Sequence, residues 1–117
     1  MKPAPIKETA TVDDLDKIDI RVGQIVEVED LPDSRKLVSL IVDFGDHRRT
    51  ILAGIKQERD DPAQLQGRQA LFVVNLAPRK MAGVISEGML LDIGYPDGIV
   101  PVLASPETPV PNGSRAG

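Results

Sequence analysis

Two adjacent cations stand between two apolar, strand-like runs of this chain, where a strand pair would need only a turn. Arg79 and Lys80 follow a run that contains Asn75, and they precede a second run that Ser86 and Glu87 interrupt. Arginine binds phosphate as a planar fork and lysine as a point charge, while amide and hydroxyl groups add hydrogen bonds. The segment therefore predicts a surface for a phosphate-rich or polar ligand.

The distribution of charge favours such a surface, although the formal net charge is −4. Residues 34–80 contain nine cations against five acids, whereas the parts of the chain on either side are acidic. Six of these cations stand in pairs at the ends of apolar segments: Arg35 and Lys36, Arg48 and Arg49, Arg79 and Lys80. Charges of this kind form an ordinary solvated surface in most proteins. The alternative is that several segment ends share one basic rim.

Composition excludes several classes of function. The 117 residues include no cysteine and one histidine, His47, which excludes disulfides, thiolate metal sites and a histidine cluster. No nucleophile elbow or phosphate-cradling glycine loop is present, and no carboxylate spacing singles out an acid–base pair. We therefore expect a binding protein rather than an enzyme, with no cofactor. Since no apolar run approaches the roughly 20 residues that span a bilayer, we expect a cytoplasmic protein without a membrane partner.

The apolar pattern divides the chain into strands with one short helix among them. Alternate apolar residues over 18–28 and 38–44 predict two strands, with a bend or bulge at Gly23 in the first. The other predicted elements of this part are a strand over 49–55, a short helix over 61–67, and strands over 70–76 and 84–93. Three strands, a helix and two strands is the order of the OB-fold, a five-stranded Greek-key barrel, so we expect an all-β protein.

Short segments flank the predicted barrel. Thr11 and Asp14 match a capping box and predict a short N-terminal helix. A short strand over 98–103 precedes Pro106, Pro109 and Pro111, which exclude a helix and favour an extended C-terminal segment. The predicted division of the chain is a flexible arm over 1–13, a domain over 14–113 and a frayed end over 114–117.

Seven separated motifs stand in a fixed order along the chain. They are Ile20-Arg21-Val22-Gly23, Pro32 to Leu37, Val42 to Gly45, Arg49-Thr50-Ile51, Asn75 to Lys80, Gly83 to Met89 and Val110 to Gly113. From about Asp14 to Gly113 the chain resembles the tRNA-binding family of OB-fold domains. That family includes small tRNA-binding proteins, the domain appended to many methionyl-tRNA synthetases, and the CsaA-type chaperones. The resemblance implies a homodimer built by the segments that flank the barrel.

Together with the charge pattern, the resemblance implies a set of RNA-binding residues. The set is Arg35, Lys36, Arg48, Arg49, Asn75, Arg79, Lys80, Met81, Ser86 and Glu87. Several members have a second interpretation: Asn75 as a turn residue, Met81 as a loop residue, and Ser86 as a cap on a backbone group. Glu87 stands where the family often has glutamine, and it would accept from a base amino group or pair with Arg79 or Lys80. His47 is predicted to be a surface residue.

The predicted function is a stand-alone, homodimeric tRNA-binding protein that recognises folded tRNA by shape and backbone. The absence of tryptophan and the scarcity of other aromatic residues argue against recognition by base stacking. Two alternatives stay open, namely a CsaA-type chaperone that binds unfolded polypeptide and an accessory subunit of an aminoacyl-tRNA synthetase. The chain shares Lys56-Gln57 with the CsaA branch, whereas Ser86-Glu87-Gly88-Met89 is typical of the tRNA-binding branch.

Overall fold

A computed structural model describes all 117 residues and contains mostly β-structure. The strands are β1 Ile20–Asp30, β2 Val38–Asp43, β3 Arg48–Ala53, β4 Gln69–Val73, β5 Arg79–Met81, β6 Val84–Ser86, β7 Met89–Leu90, β8 Asp92–Ile93, β9 Val102–Leu103 and β10 Arg115–Ala116. The one α-helix, α1, spans Val12–Asp16, and three 3₁₀ turns span Lys56–Glu58, Pro62–Leu65 and Tyr95–Asp97. No helix is both long enough and apolar enough to cross a membrane.

Five strands form a nearly closed antiparallel barrel in the order β3-β2-β1-β4-β7. The gap between β3 and β7 is bridged next to β7, where the Glu87 N–H donates to the Thr50 carbonyl at 2.8 Å. The predicted OB-fold is therefore confirmed. The predicted helix between the third and fourth strands is the 3₁₀ turn Pro62–Leu65, which Asp61 caps by accepting from the Ala63 N–H.

The buried residues of β1 do not follow the predicted alternation along the whole strand. A bulge between Ile25 and Glu27 adds one residue on β1, so the buried face changes partway along the strand. Ile25, rather than Gln24 or Val26, becomes the fully buried residue, while Ile18 lies outside the strand and is exposed. The bulge is not at Gly23; at that residue the missing side chain leaves room for neighbouring core residues.

The segment from 76 to 93 differs most from the prediction. The single strand predicted over 84–93 is divided into β6, β7 and β8, and the predicted loop at Arg79 and Lys80 is strand β5. Ala82 and Gly83 both have positive φ, at 50° and 80°, and form the two-residue turn that joins β5 to β6. At Gly88 a side chain would lie 2.9 Å from the Val73 carbonyl oxygen, so the chain approaches β4 too closely for a uniform strand there. The strand predicted over 98–103 is limited to β9.

Both flanks have the predicted local structure. The Thr11 hydroxyl accepts from the Asp14 N–H, and the Asp14 carboxylate accepts from the Thr11 N–H, each at 3.1 Å. The extended C-terminal segment is held to the barrel by the Gly113 N–H, which donates to the Val22 carbonyl at 2.7 Å. The domain boundaries at 13 and 113 stay predictions; α1 begins at Val12, and β10 pairs with the start of β1.

Asp19 fastens β10 to β1 and should make stability depend on acid pH. Its carboxylate accepts from Arg21 at 2.7 Å and from Arg115 at 3.3 Å, and chiefly the Arg21 hydrogen bond lowers the pKa of Asp19. A lowered carboxyl pKa stabilises the fold above the unfolded value of about 3.9, and this contribution disappears as pH falls through the folded pKa. We expect Asp19→Asn to be less stable at pH 7 and to show a shallower loss of stability below about pH 4.

Urea unfolding of wild type and Asp19→Asn between pH 3 and 7 measures this effect. Asp92→Asn is a matched control, because the Asp92 carboxylate is exposed and makes no ion pair or hydrogen bond. Parallel curves for wild type and Asp19→Asn would show that this contact contributes nothing to the acid dependence.

Candidate nucleic-acid interface

The cations of the barrel fall into two groups according to their partners. Arg21, Lys56 and Arg59 form ion pairs and donate hydrogen bonds to backbone carbonyls. Five of the predicted site cations are exposed and have no ion pair or side-chain hydrogen bond: Arg35, Lys36, Arg48, Arg79 and Lys80. These five cations are therefore available to an external anion, whereas the paired cations stabilise the fold.

The β1–β2 loop, residues 31–37, is held in place by Lys56. The Lys56 ammonium donates to the carbonyls of Leu31 and Ser34 at 2.9 and 2.8 Å, and it pairs with Asp30 at 2.5 Å. The Ser34 hydroxyl also accepts from the Leu37 N–H at 3.0 Å. Because its ends and its middle are fixed in this way, the loop presents Arg35 and Lys36 from a defined backbone. In the sequence Lys56 stands out only as one of the nine cations over 34–80 and as a residue shared with the CsaA branch.

The hairpin segment, residues 75–86, is joined to the barrel by Ser86. The Ser86 hydroxyl accepts from the Leu52 N–H at 3.0 Å and donates to the Gly88 carbonyl at 3.1 Å, and the residue is only 2% exposed. Both polar capacities of the hydroxyl are used inside the protein, as in the interpretation of Ser86 as a backbone cap. Ser86 is accordingly a residue that positions the hairpin segment, and its hydroxyl is not available to a ligand.

The β1–β2 loop and the tip of the hairpin segment lie at the same end of β3. Glu87 contacts Thr50 and Ser86 contacts Leu52, so the chain from 87 back to 84 runs alongside β3 towards Ala53. At that end the Lys56 N–H donates to the Lys36 carbonyl. Arg48 begins β3 and lies about 17 Å away, at roughly 3.4 Å per residue along the strand. The structure thus brings together the loop and the hairpin tip but places Arg48 at the opposite end.

Arg49 is not a free cation, because its guanidinium is bound to backbone carbonyls of the protein. Its Nη1 donates to the Val74 carbonyl at 2.6 Å and to the Glu87 carbonyl at 3.0 Å, the residues that flank the hairpin segment on either side. Its Nε donates to His47 Nε2 at 2.9 Å, and the His47 ring stacks on Phe44 with centroids 5.6 Å apart. His47 is exposed, as predicted, but it also orients Arg49. Arg49 therefore fixes both ends of the hairpin segment on β3.

The remaining members of the predicted set mainly contact other parts of the protein. Asn75 accepts from the Asp19 N–H at 2.8 Å and donates to the Lys17 carbonyl at 2.7 Å, which is the turn interpretation. The Glu87 carboxylate accepts from the Thr50 N–H at 3.2 Å and forms no ion pair with Arg79 or Lys80. Met81 is half-buried opposite Val84 in the hairpin. These contacts hold the interface in shape.

One exposed residue of the hairpin was missed by sequence analysis. Ile85 lies directly opposite Lys80 in the β5–β6 pair and is 57% exposed. Side chains alternate between the two faces of a strand, so a buried Ser86 requires Ile85 to point outward. The sequence signal was the serine next to the isoleucine: if Ser86 caps a buried backbone group, its neighbour in the strand faces outward.

Replacing Ser86 should separate its structural role from a ligand contact. Ser86→Ala leaves the buried Leu52 N–H without its acceptor, and we expect the free energy of unfolding to fall by about 2 kcal/mol. RNA affinity of the folded variant should stay within about threefold of wild type, since the hydroxyl does not reach the surface. Urea denaturation and binding titrations measure the two quantities. Exposed Ser105→Ala is the control, and a variant of unchanged stability that loses RNA affinity would refute the assignment.

Comparisons with known proteins agree with this geometry. The family model described as "Putative tRNA binding domain" matches residues 20–115. The methionine–tRNA ligase of Nitrosomonas europaea is 44% identical over 112 residues, and that of Parabacteroides distasonis is 43% identical over 114 residues. These alignments cover 96% and 97% of this chain but only 16% of each ligase, so the chain spans about a sixth of the relatives' length.

Two solved structures are similar over their whole length. A MetRS-related protein from Pyrococcus horikoshii has a TM-score of 0.86 and 39% identity, covering 95% of this chain and 100% of that protein. The chaperone CsaA from Bacillus anthracis has a TM-score of 0.82 and 32% identity, covering 94% and 100%. With a family match over most of its length and close structural relatives, this chain belongs to the family of tRNA-binding domains.

Proposed function

We propose that this chain recognises folded tRNA by its backbone and shape, acting by itself as a homodimer in the cytoplasm. The observation that carries the proposal is the placement of unpaired cations at one end of β3, on two segments that internal contacts hold in place. Arg35, Lys36 and Lys80 would contact phosphates there, Arg79 would add a contact beside them, and Arg48 would extend the surface along β3. The role is binding, without a catalytic step.

The chemistry of this surface supports recognition by backbone and shape. Phe44 and Phe72 are buried in the core, and Tyr95, the remaining aromatic residue, lies after β8 and outside the hairpin segment. The interface therefore has no aromatic platform for a series of stacked bases, which binders of single strands use. Cations presented from fixed backbone instead suit a folded RNA, whose phosphates have a defined spacing.

Exposed apolar side chains support the homodimer. Leu15 and Ile18 are exposed beside β10, and together with Ile20 and Ala116 they line one cavity of about 600 Å³. A second copy placed against α1 and β10 would cover this apolar surface and join two basic ends into one longer footprint. Sedimentation equilibrium of the purified chain tests the point: a dimer is expected, and a monomer at all concentrations would remove this part of the proposal.

The salt dependence of binding tests the phosphate contacts. If about four phosphates are neutralised, the logarithm of the association constant should fall with the logarithm of salt concentration with a slope of roughly −3. A slope near zero would contradict the proposed function, since neutral contacts release no counterions.

A chaperone role is the second candidate, and two observations favour it. The similar structures include two proteins described as CsaA chaperones, each 32% identical to this chain. The strand region after β7 also exposes Ile93, Tyr95, Val100 and Val102, an apolar surface of a kind that binds unfolded polypeptide. Titration with an unfolded peptide tests this role, and peptide binding without RNA binding would replace the first proposal by the second.

Docking on a synthetase is an alternative to acting alone, and it is suggested by the matched ligases, which carry a similar stretch within a much longer chain. A module of this kind would increase the affinity of the synthetase for tRNA, because it raises the effective concentration of tRNA at the enzyme. Co-purification of a synthetase with the tagged chain would reveal such a partner.

A further inference from the structure

An isoleucine is exposed on the β5–β6 hairpin, beside two unpaired cations. Ile85 is paired with Lys80 across the β5–β6 hairpin, so the two side chains share one face of it. That face points away from the barrel, because Ser86 on the opposite face is buried. In a directly opposed pair the Cβ atoms are about 5 Å apart. The hairpin therefore presents an apolar side chain and an ammonium group side by side.

The charges around Ile85 decide what kind of partner fits it. The hairpin segment, residues 75–86, contains no acidic residue, and both of its cations lack an intramolecular partner. An acidic protein of net charge −4 thus exposes isoleucine where its surface is locally positive. A partner that places a negative charge within a few ångströms of an apolar face satisfies both side chains. A nucleotide has this form, since one sugar holds both a charged phosphate and a base with a flat apolar face.

We propose that Ile85 contacts the face of an unpaired base in the bound RNA while Lys80 neutralises a neighbouring phosphate. In a paired helix the base faces are stacked on one another, so only a loop, a junction or an end of a folded RNA offers one. This inference rests on the proposed function and makes it more specific. The five unpaired cations would provide affinity for any RNA. Ile85 would add a preference for an RNA that has an accessible base near those phosphates.

The test compares substitutions that remove apolar surface with one that removes charge. Ile85→Ala should weaken binding of folded tRNA about five- to tenfold at every salt concentration, with an unchanged salt slope, because only apolar contact is lost. Lys80→Ala should instead reduce the magnitude of the slope by about one. Ile6→Ala, at a fully exposed isoleucine before α1, is the control and should bind like wild type.

A fully paired RNA duplex of matched charge identifies the base contact. Ile85→Ala should bind this duplex as wild type does, since the duplex offers no unpaired base. If Ile85→Ala lost the same affinity for the duplex as for tRNA, the inference would be overturned. It would also be overturned if Ile85→Ala bound tRNA as tightly as wild type. Ile85→Thr keeps the branching that favours a strand and should show the same tRNA-specific loss, which separates a lost contact from a weakened hairpin.

Two further outcomes have distinct meanings. If Ile85→Ala changes the sedimentation of the protein and not its RNA affinity, Ile85 contacts protein and the inference is overturned. If wild type itself fails to bind tRNA, the proposed function is overturned together with the inference. Normal salt-dependent binding by wild type and by both Ile85 variants would remove the inference alone.

Discussion

Replacing Arg79 and Lys80 together by alanine is expected to weaken the binding of folded tRNA about 100-fold. Each side chain is exposed and unpaired in the free protein, so each is expected to give one charge-assisted contact of about 1.4 kcal/mol. The salt slope should decrease in magnitude by about two, because two fewer counterions are released. Fluorescence anisotropy titrations at several salt concentrations measure both quantities.

The matched control is Arg68→Ala. Arg68 is also exposed and makes no ion pair, but it directly precedes β4, where its carbonyl accepts from the Ile25 N–H at 2.9 Å, and it belongs to neither the β1–β2 loop nor the hairpin segment. We expect at most a threefold change in affinity for this variant. Thermal unfolding should be nearly unchanged in both proteins, since neither removes an internal contact. Wild-type affinity in the folded double variant would exclude the hairpin from the interface, and an equal loss in Arg68→Ala would show that only overall charge matters.

Replacing Gly23 by alanine is expected to reduce the free energy of unfolding by about 3 kcal/mol. A methyl group at this position would lie 2.8 Å from the Phe44 ring and would also overlap Val42. Both are buried core residues of the barrel, so neither can move without displacing its neighbours. Urea or thermal denaturation measures the loss.

Gly54→Ala is the control for this substitution. No atom lies within 4 Å of the position where its methyl group would be, and its φ is not positive. We therefore expect unchanged or slightly increased stability, by up to about 1 kcal/mol. If Gly23→Ala were as stable as Gly54→Ala, the close packing of β1 against Val42 and Phe44 would not be needed for the fold.

Features that depend on neighbours in sequence were predictable. The Thr11 and Asp14 capping box requires only residues three apart, and it forms as predicted. The barrel order follows from strand periodicity together with one capped turn, since these patterns reflect local geometry and burial. The extended C-terminal segment follows from its prolines, which cannot continue a helix.

Features that depend on contacts between distant residues were not predictable. The roles of Ser86 and Arg49 come from Leu52, Val74 and Glu87, and no local pattern shows that these groups meet. The bulge at Val26 shifts the buried face without any glycine or proline to mark it. The six cations that stand in pairs could not be told apart from the sequence, because the backbone partners of Arg49 lie far along the chain. Only the folded structure distinguishes Arg49, whose guanidinium bonds backbone carbonyls, from the five that are unpaired.

The most direct test of the central claim compares three ligands with one purified protein. Fluorescence anisotropy should be measured with a folded tRNA, a length-matched unstructured RNA and an unfolded peptide across several salt concentrations. We expect a tight, salt-sensitive preference for the folded tRNA, because cations on a held backbone would contact the phosphates of a folded RNA at their defined spacing. Equal binding to both RNAs would contradict recognition of shape, and binding of the peptide alone would contradict the RNA-binding function itself.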